Sequence, residues 1–163
     1  MRETKMFDGL IDGDGIVRLS AAAVAGMIIG ASRGFLGKPA GMRTMGLVSL
    51  GAALITIVTI RMPGIADNPD ALSRVLQGVI QGVMAGIGFL GAGVVIRDSK
   101  EMEVRGLTTA AAVWITAALG VACALGFWTT VLAGLGITLM LLVVARPLDR
   151  WIERRAASRN DYG

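Results

Sequence analysis

From Gly106 to Ala145 the chain runs for forty residues without a charged side chain. A helix needs about 20 apolar residues to cross the hydrocarbon core of a bilayer, so this run is two spans long. Near its middle, Leu125-Gly126-Phe127-Trp128 places a glycine and two aromatics where a turn would meet the membrane surface. The run therefore predicts a helical hairpin. A water-soluble domain of 163 residues can hide a core, but not apolar runs of this length. Composition agrees, with 54% hydrophobic residues and a mean hydropathy of +0.67.

A second charge-free stretch lies between Arg74 and Arg97, with only Gln77 and Gln81 for polarity and glycines at 78, 82, 86, 88, 91 and 93. Gly78, Gly82 and Gly86 fall at i, i+4 and i+8 and form one bare stripe on a helix. Such a stripe weakens a helix in water, but in lipid it admits a close neighbour. The stretch reads as the central packing helix of the bundle. Gly78, Gly82, Gly86, Gly88, Gly91 and Gly93 are expected to let Ala110–Ala112 approach, with Gln77 and Gln81 as interhelical hydrogen-bond glue. A homodimer seam or a thin, hinge-like part of a pore is the other use of the stripe. Gly86-Ile-Gly88-Phe-Leu-Gly91 matches the G-x-G-x-x-G nucleotide fingerprint, yet it sits inside an apolar run rather than after a strand.

The remaining apolar runs complete an all-α fold, a polytopic membrane bundle of five transmembrane helices. Spans are expected near 16–33, 44–61, 75–97, 106–124 and 127–146, forming a membrane domain over 16–146. A tail of residues 1–15 precedes it, and a basic tail, 147–163, follows. Asp98–Arg105 reads as a short charged loop, and Arg18 as a side chain snorkelling to the interface. The segments 33–43, 97–105 and the C-terminal tail hold eleven Lys and Arg, against five on the other side. The positive-inside tendency then puts the N-terminus outside and the C-terminus inside, in a bacterial inner membrane.

Several chemistries drop out. No histidine occurs, which removes His-based catalysis and metal ligation, and the single cysteine, Cys123, cannot form an internal disulfide. Asp12-Gly-Asp14-Gly begins like a calcium loop, but Ile16 takes the next ligand position; a solvated tail is expected instead. Gly37-Lys38 fails as a phosphate loop because Pro39 stands where Ser or Thr belongs. Acidic residues lie outside the middle of every span, so no cation site is expected at depth. The bases gather at the ends of apolar runs, which suits lipid headgroups rather than nucleic acid. No enzyme activity, cofactor or metal is expected.

At Lys38-Pro-Ala-Gly-Met-Arg43-Thr44, Gly86-Ile-Gly-Phe-Leu-Gly-Ala-Gly93 and Val104-Arg-Gly-Leu-Thr-Thr-Ala-Ala111, the chain resembles the MgtC/SapB family. The resemblance implies a bacterial inner-membrane protein with a five-helix membrane domain, in a virulence-related family tied to magnesium homeostasis and better described as regulators than as transporters. It also implies a link to the membrane ATP synthase and the membrane potential. The chain departs from many members at Ser32, Met45 and Glu103, and nothing in it matches the soluble C-terminal domain of longer members.

With this topology the motifs converge on one basic end. Lys38, Arg43, Thr44, Arg97, Arg105, Thr108 and Thr109 are the candidate residues for an anion or a partner's carboxylate, held beside helix N-termini. Arg33 joins the same ring, with Asp98, Glu101 and Glu103 as partners. The expected function is non-catalytic: modulation of magnesium-linked ion homeostasis or membrane energetics through contacts with the lipid bilayer, a membrane-protein partner such as the ATP synthase, or a second copy. The alternative is a small cation transporter or channel.

Overall fold

Asp12 opens the first helix. Its carboxylate accepts the Gly15 N–H at 2.8 Å, satisfying one of the donors that a helix start leaves without a partner, and α1 then runs Gly13–Gly34. The computed structural model describes residues 12–35, 37–65, 67–98 and 103–160; of 96–98, 103–105 and 145–160 it describes the backbone. After α1 come α2 (Met42–Ile60), α3 (Pro69–Val94), strands β1 (Ile96–Asp98) and β2 (Glu103–Arg105), α4 (Leu107–Leu125) and α5 (Trp128–Asn160).

Local chemistry sets these boundaries. Asn68 accepts the N–H groups of Asp70 and Ala71, with Pro69 in the first turn, where its missing N–H costs nothing. Gly126 ends α4 in the left-handed region at φ +75°, and α5 begins two residues later. The expected hairpin over the forty-residue run is present. The expected loop at Asp98–Arg105 is instead flanked by an antiparallel pair, Ile96 opposite Arg105 and Asp98 opposite Glu103. The β-branched run Val94-Val95-Ile96 and Val104 favour extended backbone once α3 has ended. The basic segment expected from 147 onward continues α5 as helix to Asn160.

Helices α1, α2 and α4 pack against one another as a three-helix core; α3 lies on α4 and more lightly on α2, and α5 on α4 and α1. The central helix is thus α4, not α3. Of α4's apolar window 56% is buried, against 6% of α3's. The physical reason is residue size. Gly26 and Gly30 bring α1 onto the backbone of α2 at Met45 and Met42, and Gly120 brings α4 onto the Ser49 carbonyl. At Gly78, Gly82, Gly86, Gly88 and Gly93 an added Cβ would meet nothing within 4 Å, and only Gly91 makes the expected approach, 3.5 Å from Ala110 Cβ.

Elsewhere the surface is apolar. Leu47, Leu132, Ile55 and Val144 are among many large side chains left exposed, which water would not tolerate but a bilayer requires. Among the described residues four helices, α1 to α4, are long and apolar enough to cross a membrane, and the apolar part of α5, Trp128–Val144, is slightly shorter. Three buried threonine hydroxyls are satisfied within their own helices: Thr56 donates to Ala52 O, Thr116 to Ala112 O and Thr138 to Gly134 O.

At the end where α1 starts and α2 and α4 finish, charges form a clamp. Arg61 bridges Asp12 at 2.6 Å and Asp14 at 3.3 Å, and Arg18 pairs with Asp14 at 2.7 Å. Arg18 also bonds across the bundle end: its Nη1 donates to Ala124 O at 2.7 Å, satisfying a carbonyl in the last turn of α4. The Asp12-Gly-Asp14 segment is therefore a helix cap and clamp rather than a solvated tail; residues 1–11 lie outside the described residues. The Gly15 N–H, and then Arg61, hold the Asp12 carboxyl below the usual carboxylate range. A depressed folded-state pKa gives stability that is complete above the unfolded carboxylate pKa and lost as pH falls through the folded one. Thermal midpoints should thus fall on acidification below the usual carboxylate range, and Asp12→Asn should remove part of that dependence. Unchanged acid sensitivity in the variant would show that the clamp is not its source.

Candidate functional site

The opposite end gathers the C-terminus of α1, the turn through Pro39 and Ala40, the start of α2, and the junction of α3 with α4. At its centre is Arg33, in the last turn of α1 and 3% exposed. Its Nη2 donates to Thr109 Oγ1, in the first turn of α4. Nε and Nη2 both point to Pro39 O at a long 3.4 Å. One guanidinium thus ties three segments together, using the fixed fork of donors that Lys lacks.

The sequence around Arg33 is shaped to admit it. In Lys38-Pro39-Ala40-Gly41-Met42-Arg43-Thr44, Pro39 supplies the carbonyl and Ala40 takes φ +61°, a left-handed conformation that costs a non-glycine residue roughly 1–2 kcal/mol. Gly41 and Met42 meet Gly30 backbone to backbone; a Cβ on Gly30 would lie 2.5 Å from Met42 Cα. In Arg105-Gly106-Leu107-Thr108-Thr109, Gly106 takes φ +98° against the Val94 carbonyl, where a side chain has no room. Two of the three sequence motifs therefore meet at one buried arginine.

The candidate residues divide. Thr109 is buried and engaged by Arg33. Lys38, Arg43, Thr44 and Thr108 are exposed. Arg97 and Arg105 stand on β1 and β2; their side chains, and those of Asp98 and Glu103, lie outside the described residues, as does Glu101. Arg43 occupies the first turn of α2, whose N-cap, Gly41, offers no side-chain acceptor to the free N–H groups. Below it runs an apolar groove of about 550 Å³ between α1 and α2, lined by Ala23, Met27, Gly46, Leu47 and Leu50, with Arg43 at its mouth. Sequence reasoning placed Arg33 on an exposed ring and missed its internal role. The available signal was the position, in the last turn of a span with a turn-forming Pro39-Ala40-Gly41 to cover it. Among the described residues no group of three or more acidic, His or Cys side chains is placed to hold a metal ion.

The motifs at this end are those of a known family, whose profile, the MgtC family, matches residues 19–151. This chain belongs to the MgtC family. Among its relatives are Protein SrpB of Synechococcus elongatus, 41% identical over 145 residues (84% of this chain, 79% of that protein), and Protein MgtC of Salmonella typhimurium strain LT2, 39% identical over 131 residues (80% and 52%). Protein SapB of Bacillus subtilis is 30% identical over 148 residues (89% and 60%). This MgtC-family chain spans little more than half the length of the relatives that carry the MgtC and SapB names. No solved structure matches it. Family membership and the apolar helices together make it a multi-pass membrane protein.

Proposed function

We propose that this MgtC-family protein is a non-catalytic regulator of the bacterial inner membrane, with its basic end in the cytosol, its N-terminus outside and its C-terminus inside. It acts on magnesium-linked ion homeostasis or membrane energetics through lipid and protein contacts at that end; the ATP synthase is the partner implied by the family resemblance. The observation that carries the reading is the division of labour among the arginines. Arg33 is consumed in holding the turn, whereas Arg43 is presented outward beside an uncapped helix start, above an apolar groove. A cation over an apolar slot suits an anionic headgroup with its acyl chain, or a carboxylate on a neighbouring membrane protein.

A base near the surface contributes about 1 kcal/mol of attraction to anionic lipid, roughly fivefold in affinity. Arg43→Ala should lower the preference for phosphatidylglycerol over phosphatidylcholine in mixed nanodiscs by about that factor, with folding intact. The parent protein in sealed liposomes should pass Mg2+, K+ and H+ no faster than protein-free vesicles. Robust saturable flux would establish the transporter alternative, and reporter fusions placing the Lys38 turn outside the cell would overturn the orientation.

A further inference from the structure

We propose that the uncovered face of α3 is a homodimer interface, in which two copies meet about a two-fold axis along the membrane normal with Gln81 against Gln81. The other lipid-facing surfaces of this protein carry large aliphatics, such as Val24, Ile28, Leu54 and Leu132. Along α3 the exposed face presents Gln77, Gly78, Gln81, Gly82, Ala85 and Gly86 through its middle turns, with Ile80 beside them and Phe89 and Leu90 beyond. Small and amide side chains are what membrane helices present to protein rather than to lipid tails. Gln81 lies seven residues, roughly 10 Å of helix, beyond Arg74, so its amide stands inside the hydrocarbon layer, and among the described residues none hydrogen-bonds to it. Lipid supplies neither donor nor acceptor at that depth. The demand for a partner comes from the amides, independently of the glycine stripe.

The occupant follows from what the face can recognise. An amide both donates and accepts, so a Gln opposite an identical Gln satisfies both, which an aliphatic helix cannot do. Copies inserted with the same orientation meet as an isologous pair, in which each residue faces its own counterpart. Beside this face a groove of about 940 Å³ separates α2 from α3, lined by Leu47, Gly51, Ile55, Gly78, Gly82 and Leu90, and apolar but for Thr44. Its walls carry no charge, and it is wide enough to seat side chains from the second copy.

The test exploits the open space at the stripe. Since a Cβ at Gly82 meets nothing within 4 Å in the protomer, the bulk that Gly82→Ile adds starts into open space, where a neighbouring copy would meet it. The parent, purified into native-lipid nanodiscs, should have the mass of a dimer. Gly82→Ile should weaken dimerisation by roughly tenfold or more, with unchanged helicity. Gln81→Cys should give a crosslinked dimer under a membrane-permeant oxidant, while Leu132→Cys, on the exposed side of α5, should not; native Cys123 is buried and stays in place. A monomeric parent at every protein-to-lipid ratio, a dimer indifferent to Gly82→Ile, or a separate single-span helix occupying the face would each overturn the proposal.

Discussion

Gly120→Ala should destabilise the bundle by about 3 kcal/mol, the upper part of the range for an overpacked core, although it adds one methyl group. The new Cβ would fall inside contact distance of the Ser49 carbonyl oxygen and 3.0 Å from Ser49 Cα. Those are backbone atoms of a helix packed on both sides, so no rotamer change relieves the overlap, and α2 and α4 have to separate. Separation exposes a weak point. Ser49 is wholly buried there, its hydroxyl has no partner among the described residues, and the same crossing is closed on the other side by Gly26. The matched control is Gly82→Ala on α3, where the same change meets open space. Relieved of glycine's entropic cost, that protomer should be unchanged or stabilised by up to about 1 kcal/mol. Equilibrium unfolding in mixed micelles, followed by circular dichroism, reads both. Gly120→Ala within about 0.5 kcal/mol of the parent, the scatter of ordinary surface substitutions, would sink the close-crossing account.

That contrast marks how far the sequence could be read. The apolar runs and their turns were legible because membrane thickness imposes a length on every span, and Gly126 and Pro39 punctuate the chain as local chemistry requires. Which glycines close the core was not. Gly26 and Gly30 in α1 have the same four-residue spacing as Gly78, Gly82 and Gly86 in α3, and spacing says that a stripe exists without saying what lies against it. Only the three-dimensional arrangement shows that the first pair meets α2 inside the protomer while the second set faces outward. The strand pair at 96–105 was missed for a related reason, because three-residue strands carry too little pattern to register beside long helices. At the basic end, the sequence located the right segments and mistook the role of one residue. Charge alone makes Arg33 and Arg43 look alike; burial separates them.

Removing the Arg33 fork should have the second large effect. Arg33→Met keeps much of the side chain's bulk but deletes the donors to Thr109 and Pro39, and Thr109→Val deletes the hydroxyl with little change of shape. Hydrogen bonds to a charged group contribute about 1.5–3 kcal/mol, and a buried group left without its partner loses its desolvation energy as well. Arg33→Met should therefore cost about 3 kcal/mol and Thr109→Val about 2, while the double variant should fall short of their sum because each deletes the same contact. Additive losses would mean that the pair is not coupled. Arg33→Lys should recover only part of the loss, since an ammonium lacks the planar fork that spans a carbonyl and a hydroxyl together. The consequence for function is specific. Ala40 holds a left-handed backbone that it would leave if free, so releasing Pro39 lets the turn relax and the start of α2 fray. Amide exchange should then rise across the first turn of α2 in Arg33→Met, and the lipid preference assigned to Arg43 should fall although Arg43 itself is untouched. Retained preference with a frayed turn would instead mean that Arg43 acts through its charge alone, and that the geometry set by Arg33 serves the fold rather than the contact.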